Sequence, residues 1–230
     1  MSTAEPSTVS VAVEDYAKAI YSLTRGDSAT ASTTDLAARL GLSAGSVSVM
    51  IKRLDASGLV EHVPYRGVRL TPAGQAVALN VIRRHRLIEL FLATALDIPW
   101  EEVHRYAEAL EHAASDELIE IIANKLGDPA FDPHGDPIPS RELLVDEQPT
   151  TGLDELTVGQ CATFVRVSDS DPEILRYLSE LGIAIGDRFE MLGRQPFEGS
   201  FEVRIGKRTQ ALSLGLASAL RVRCDADEAT

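Results

Sequence analysis

Cysteine is scarce. Cys161 and Cys224 are the two thiols in 230 residues, and they show no C-x-x-C spacing. That argues against a thiolate metal site or a disulfide framework and leaves two buried or free thiols of a reduced compartment. No apolar run approaches the length of a bilayer span, so no membrane partner is expected. Met1 to Ser10 is polar and lacks the basic-then-apolar order of a signal peptide, so a cytoplasmic location is expected. A glycine-rich phosphate loop and a nucleophile paired with a base are also missing. An excess of basic charge is missing too, since the net charge is −13.

The acid is unevenly placed. Residues 1–75 hold seven Lys/Arg and seven Asp/Glu, residues 76–147 six against fifteen, and residues 148–230 nine against thirteen. The N-terminal part can therefore still present a basic surface to DNA if its cations cluster. Apolar content of 44% and charged content of 25% are ordinary for a globular chain.

Within the acidic middle lies His104-x-x-x-Glu108-x-x-Glu111-His112. On a helix these four side chains fall within an arc of about 100°. Like charges one turn apart repel, and a cation between them reverses the sign of that interaction. A solvated acidic face is the plainer explanation of this stretch taken alone. His85 and Glu89, four residues apart on a second helical pattern, favour a divalent metal instead.

The periodicity predicts helices over Val11–Thr24, ended by Arg25-Gly26-Asp27-Ser28, and over Asp35–Leu40, Ala44–Ser57, Pro72–Ala95, Asp97–His112 and Ser115–Leu126. Two short strands, Leu59–Val63 and Val68–Thr71, flank the hairpin signal Pro64-Tyr65-Arg66-Gly67. A proline-punctuated loop runs from Asp128 to Pro139. Beyond it, short β-branched runs at 160–167, 188–192, 201–205 and 219–223, with a helix at Pro172–Leu181, predict a small β-barrel.

Asp35 to Asp55 has the layout of a helix-turn-helix: a short helix, a turn at Gly41, and a second helix whose Val47, Ile51 and Leu54 point inward. Its outer face carries Ser43, Ser46, Ser48 and Lys52, and Arg66 tips the hairpin, so these five are the candidate DNA-binding residues. Hydroxyl-rich, arginine-poor base-facing positions point to phosphate contacts and DNA shape rather than strong direct readout. Tyr65 is expected to pack the wing and Trp100 to anchor the fifth helix, while His62 and His134 receive no role.

A winged helix-turn-helix, then His-Arg-Leu-x-Glu on one helix and Val-His-x-x-Ala-Glu-x-x-Glu-His on the next, resembles the diphtheria toxin repressor family of metal-dependent repressors. The resemblance extends over essentially the whole chain, including the loop Asp132-Pro-His-Gly-Asp-Pro-Ile-Pro139. It implies a mainly α fold with a small β domain: a winged helix-turn-helix over 1–74, a helical metal-binding and dimerisation domain over 75–140, a linker over 141–151, and an SH3-like β-barrel over 152–230. It implies no enzyme, but a homodimer bound to operator DNA and repressing metal-uptake genes.

The resemblance carries ligands position by position. Asp15, Glu108, Glu111 and His112 match the primary metal site, and His85, Glu89 and His104 the ancillary one. Iron-type members have Met and Cys where this chain has Asp15 and Glu108, whereas manganese-type members have Asp and Glu. Hard oxygen donors suit Mn²⁺, with Fe²⁺ the alternative, and about two ions per protomer are implied. Manganese-type members often carry a second acid where this chain has Lys18. Iron-type members add donors from the SH3-like domain, for which Asp169 or Asp171 is the choice here, an acidic helix cap being the other reading of both. Two alternatives stay open: a di-metal hydrolase, which needs an open coordination position and a nearby base, and a winged-helix regulator that senses an organic ligand.

Overall fold

The computed structural model describes residues 9–24, 30–63, 65–167, 171–196 and 199–225. These fall into two compact units, one made of residues 9–84, 111–114 and 139–144, the other of 85–110, 115–138 and 145–225. The contact division thus lies inside the long helix Pro72–Ala95, between Arg84 and His85, whereas the sequence places a domain boundary at its start.

The first unit begins with α1 (Val11–Thr24), which buries Tyr16, Ala17, Ala19 and Ile20. On the complementary arc of α1 stand Glu14, Asp15 and Lys18. The residues expected to end this helix, 25–28, lie outside the described residues. Ser32 caps α2 (Thr33–Leu40) by accepting from the Asp35 N–H, and Gly41 closes it with φ 65°, a left-handed turn that a side chain would strain. α3 (Ala44–Ala56) follows at once, capped by Ser43, and buries Val47, Ile51 and Leu54. Strands β1 (Val60–Val63) and β2 (Gly67–Leu70) pair antiparallel, with Ala31 bridged to Val68 beside them. One core joins α1, α2, α3 and the wing through Ile20, Leu36, Val47, Leu54, Val60 and Val68. Tyr65 stands clear of it: with φ 62° and complete exposure it projects into solvent, so the expectation that it packs the wing fails. The hairpin is too short to give its tip a core to pack on.

α4 (Pro72–Ala95) matches the sequence reading to the residue. α5 runs only from Trp100 to Leu110, so Glu111 and His112, expected on its last turn, sit in a turn beyond it. α6 (Asp116–Leu126) is capped by Ser115.

In the second unit, β3 (Thr151–Gly152), β4 (Cys161–Val167), β5 (Arg188–Arg194), β6 (Phe201–Ile205), β7 (Arg208–Leu212) and β8 (Leu220–Cys224) form an antiparallel sheet of order β3-β8-β4-β5-β6-β7. α7 (Pro172–Leu181) and the short α8 (Leu214–Ala219) complete it. Phe164, Phe189 and Phe201 fill its core with Leu175, Leu178 and Met191. Trp100 packs against this core and donates from its indole N–H to Ser179 Oγ at 2.8 Å, the anchoring role expected of it. Both cysteines are free. Among the described residues no helix is long and apolar enough to cross a membrane.

Candidate metal centres

In the first unit, α1 and the turn after α5 bring Asp15, Glu111 and His112 together, with ligand atoms all within 4.8 Å of one another. His112 Nε2 lies 2.9 Å from Asp15 Oδ1 and 3.4 Å from Glu111 Oε1. On its other side, His112 Nδ1–H donates to Glu14 Oε2 at 2.6 Å. That bond fixes the ring and turns Nε2 towards Asp15 and Glu111, the arrangement by which a carboxylate orients a metal-binding imidazole. Arg84 in turn holds Glu14 at 3.1 Å. Sequence reasoning missed Glu14, although an acid next to Asp15 on the same helical arc was a visible signal.

Lys18 enters the same cluster, one turn after Glu14 on α1. Its Nζ donates to both oxygens of Glu111, at 3.0 and 2.9 Å, and Glu111 is only 2% exposed. An ammonium thus occupies one side of the acidic cluster. Burial pushes the Asp15 carboxyl above its ordinary pKa, with Glu111 adding to the effect and His112 and Lys18 opposing it.

Glu108 belongs to the second unit, where its exposed carboxylate lies 3.6 Å from His104. There, His85 and Glu89 on α4 and His104 on α5 form a tight trio. Glu89 Oε1 is 2.8 Å from His85 Nε2 and 3.1 Å from His104 Nδ1, and the two ring nitrogens are 3.0 Å apart. These three, matched to one site by resemblance, are brought together by the fold.

The second oxygen of Glu89 faces a group the sequence reading did not include. Glu89, Asp132 and His134 form another trio with ligand atoms within 4.8 Å, and all three residues are buried. The His134 Nε2–H donates to the Trp100 carbonyl at 2.8 Å, so in the neutral ring Nδ1 carries a lone pair. That nitrogen, 3.8 Å from Glu89 Oε2, has no hydrogen-bond partner among the described residues. Neither have Glu89 Oε2 and Asp132 Oδ2. Arg86 Nε stands 3.5 Å from Asp132 Oδ2, too far to count as a hydrogen bond but close enough to offset part of its charge. Three buried acceptors thus converge with one guanidinium at their edge, an arrangement that a further cation or a proton would relieve. The donors are oxygen and nitrogen throughout, so these residues fit a borderline or hard divalent ion.

Local hydrogen bonds fix the loop that carries Asp132 and His134. Asp132 Oδ1 accepts from the backbone N–H of His134 and of Asp136, closing a turn at Gly135. Gly135 has φ 85°, and a Cβ there would lie 1.9 Å from the Val165 carbonyl, so no other residue fits. The His134 carbonyl accepts from Val167 N–H, seating the loop on β4. Arg86 Nη2 and Arg166 Nη1 hold Asp136 at 3.2 and 3.7 Å. Burial drives the Asp132 pKa well up, helped by the charges of Asp136 and Glu89 and opposed by Arg86. Burial would also raise Glu89, but hydrogen bonds from His104 and His85, with the charge of His85, outweigh it and hold that carboxyl far below its ordinary value.

Of the SH3-like-domain donors considered, Asp169 lies outside the described residues. Asp171 is the exposed N-cap of α7, accepting from Glu173 N–H at 2.9 Å, the alternative the sequence reading left open. The five DNA-binding candidates, Ser43, Ser46, Ser48, Lys52 and Arg66, are all exposed. Three of the hydroxyls are engaged within α3: Ser43 Oγ accepts from Ser46 N–H and meets Ser46 Oγ at 2.9 Å, and Ser48 donates to the Ala44 carbonyl at 2.8 Å.

The chain matches the model of the iron dependent repressor N-terminal DNA binding domain over residues 6–68 and that of the iron dependent repressor metal binding and dimerisation domain over 71–140. Residues 151–224 match the FeoA domain. The diphtheria toxin repressor of Corynebacterium efficiens is 31% identical over 170 residues, covering 70% of this chain and 74% of that protein. The chain belongs to the diphtheria toxin repressor family. Members of this family are DNA-binding transcriptional repressors rather than enzymes, and they depend on divalent metal. The iron-dependent repressor IdeR of Mycobacterium tuberculosis is 36% identical over 137 residues, 59% of each chain, so the match spans about three fifths of that relative. A solved structure described as a manganese-dependent transcriptional repressor in complex with manganese superposes with a TM-score of 0.87 at 40% identity, covering 93% of this chain and 100% of that one. The family's helical N-terminal domains and small C-terminal β domain are those described above.

Proposed function

We propose that this chain is a manganese-responsive repressor that binds operator DNA as a homodimer and controls genes of metal-ion homeostasis, with Fe²⁺ as the alternative effector. One observation carries the reading: Asp15 on α1 and Glu111–His112 after α5 converge as an all-oxygen-and-nitrogen donor set. The superposition on a manganese-dependent repressor at 40% identity supports the choice of metal. Hard carboxylate donors suit Mn²⁺, and no sulfur lies in any of the donor groups among the described residues.

Asp15, Glu111 and His112 would hold one ion, the site to which the resemblance also assigns Glu108. Glu89, with His85, His104, Asp132 and His134, would hold a second, for about two ions per protomer. A bound divalent ion supplies positive charge where acidic side chains otherwise face one another. The chain's own residues do the rest. Asp15 ties α1, and with it the helix-turn-helix core, to the segment that continues from α5. Glu14 keeps the His112 ring aimed, and Arg84 keeps Glu14 in place. Two recognition helices in a dimer must match half-sites about one turn of DNA apart, so a firm tie at α1 favours the operator-binding form. Metal promotes DNA binding only through its higher affinity for that form.

The test is an operator-retention assay across Mn²⁺, Fe²⁺, Co²⁺ and Zn²⁺ at buffered free concentrations. Retention that appears with Mn²⁺ and vanishes on chelation is the expected result. Equal retention by the metal-free protein would overturn the proposal. Phosphoester turnover with Mn²⁺ would revive the di-metal hydrolase, and none is expected.

A further inference from the structure

The outward face of α3 holds two residues that the fold itself does not ask for. With Val47, Ile51 and Leu54 inside, the centre of the opposite face falls on Gly45 and Val49, one turn apart, with Lys52 beside them. Val49 is 62% exposed. A β-branched apolar side chain is a poor choice for an exposed helix position, both for propensity and for hydration. Gly45 is poorer still in a helix. Among the described residues nothing requires it: a Cβ built there meets only Ser43 Oγ, at 3.8 Å, an ordinary contact, and its φ is not left-handed. Local rules broken without internal compensation mark positions shaped by something outside the chain.

Residues 6–68 match a DNA-binding domain, and the second helix of a helix-turn-helix enters the major groove with its N-terminal residues at the base edges. The neighbouring hydroxyls of Ser43, Ser46 and Ser48 already bond within the helix or to each other. What remains at the centre of the face is an isopropyl group beside a cleared space. In the major groove the apolar feature is the thymine 5-methyl group.

We infer that Val49 is a specificity-determining residue that contacts a thymine methyl group in each operator half-site, Gly45 supplying the clearance that lets the base edge reach it. This rests on the DNA-binding reading above. Lys52 and Arg53, both exposed at the rim of this face, are placed to meet phosphates and set affinity without setting sequence.

The experiment uses the full chain loaded with Mn²⁺. An operator is first selected from a randomised duplex library, and each thymine is then replaced in turn by deoxyuridine, which removes only the methyl group. One position per half-site is expected to weaken binding by about fourfold, the worth of one methyl-sized group taken from water. Val49→Ala changes both protomers, so it is expected to lose about the square of that factor, roughly 15-fold, on the parent operator and to become indifferent to that deoxyuridine. Its salt dependence should be unchanged, because the phosphate contacts remain. Gly45→Ala is expected to raise Tm by about 1–4 °C while weakening operator binding, a combination that damage to the fold cannot produce. Deoxyuridine substitution without effect at every position would overturn the inference, as would a Val49→Ala protein that still responds to it. If the Mn²⁺-loaded protein retains no duplex at all, the DNA-binding reading falls and takes this inference with it; retention that ignores the methyl groups removes the inference alone.

Discussion

Replacing Lys18 by Met removes the ammonium from the acidic cluster while keeping most of the stem. Its Nζ bonds both oxygens of Glu111 at 2.9–3.0 Å, and that carboxylate is 2% exposed. Two unit charges at such a separation attract by about 5 kcal/mol at an effective dielectric of 20, most of it offset by desolvation. The net worth of a charge-assisted bond of this kind is about 1.5–3 kcal/mol. Lys18→Met should therefore lower the Tm of the metal-free protein by about 3–12 °C, since about 2–4 °C accompany each kcal/mol in a chain of this size. The same bond opposes capture of Glu111 by a divalent ion, so the variant should bind Mn²⁺ at this cluster about 10- to 100-fold more tightly. Saturating Mn²⁺ should then narrow the Tm gap to the parent. Isothermal titration and thermal denaturation, each with and without Mn²⁺, read both effects. An unchanged Mn²⁺ affinity together with an unchanged Tm would refute the view that Lys18 holds part of this site's positive charge.

Asp15→Ala and Glu108→Ala are each expected to abolish metal-dependent operator retention while leaving a folded dimer by sedimentation; retention at parental affinity would count against the ligand assignment. His134→Ala should cost about one Mn²⁺ per protomer by elemental analysis, because its Nδ1 is one of three buried acceptors left facing one another. A full complement of metal in that variant, but not in His104→Ala, would place the ion on the His85–His104 side of Glu89 instead. The raised Asp132 pKa gives a pH signature. A carboxyl that holds its proton more tightly when folded stabilises the metal-free protein most below its unfolded pKa, and this contribution is lost as pH rises through the folded value. Capturing a cation there displaces that proton, so the Mn²⁺-induced rise in Tm should be larger at pH 8 than at pH 6; an equal or smaller rise would contradict the assignment.

Most of the helical framework was legible because its signals are local. Pro72 at the first turn and the unbroken apolar period fixed α4, and the break at Gly41-Leu42-Ser43 separated α2 from α3. The i, i+4 pair His85–Glu89 likewise announced itself. What was not legible depends on contacts between distant segments. His134 stands 45 residues from Glu89, and only the turn at Gly135, pressed onto β4, aims its ring at that carboxylate. The roles of Glu14 and Lys18 likewise required knowing that α1 meets residues 111–112. The end of α5 was misplaced because Glu111 and His112 continue the helical pattern in sequence while the chain turns after Leu110. β7 was missed because Arg208–Leu212 buries only Leu212 and shows no alternation, and α8 because six residues leave too short a pattern.

The central claim is that metal held by Asp15, Glu111 and His112 and operator held by the helix-turn-helix favour the same conformation. Thermodynamic linkage makes that directly measurable as the Mn²⁺ affinity of the protein with and without saturating operator duplex. The account predicts that operator tightens Mn²⁺ binding by the same factor by which Mn²⁺ tightens operator binding, and that Asp15→Ala erases both. Mn²⁺ affinity indifferent to the presence of operator would contradict it.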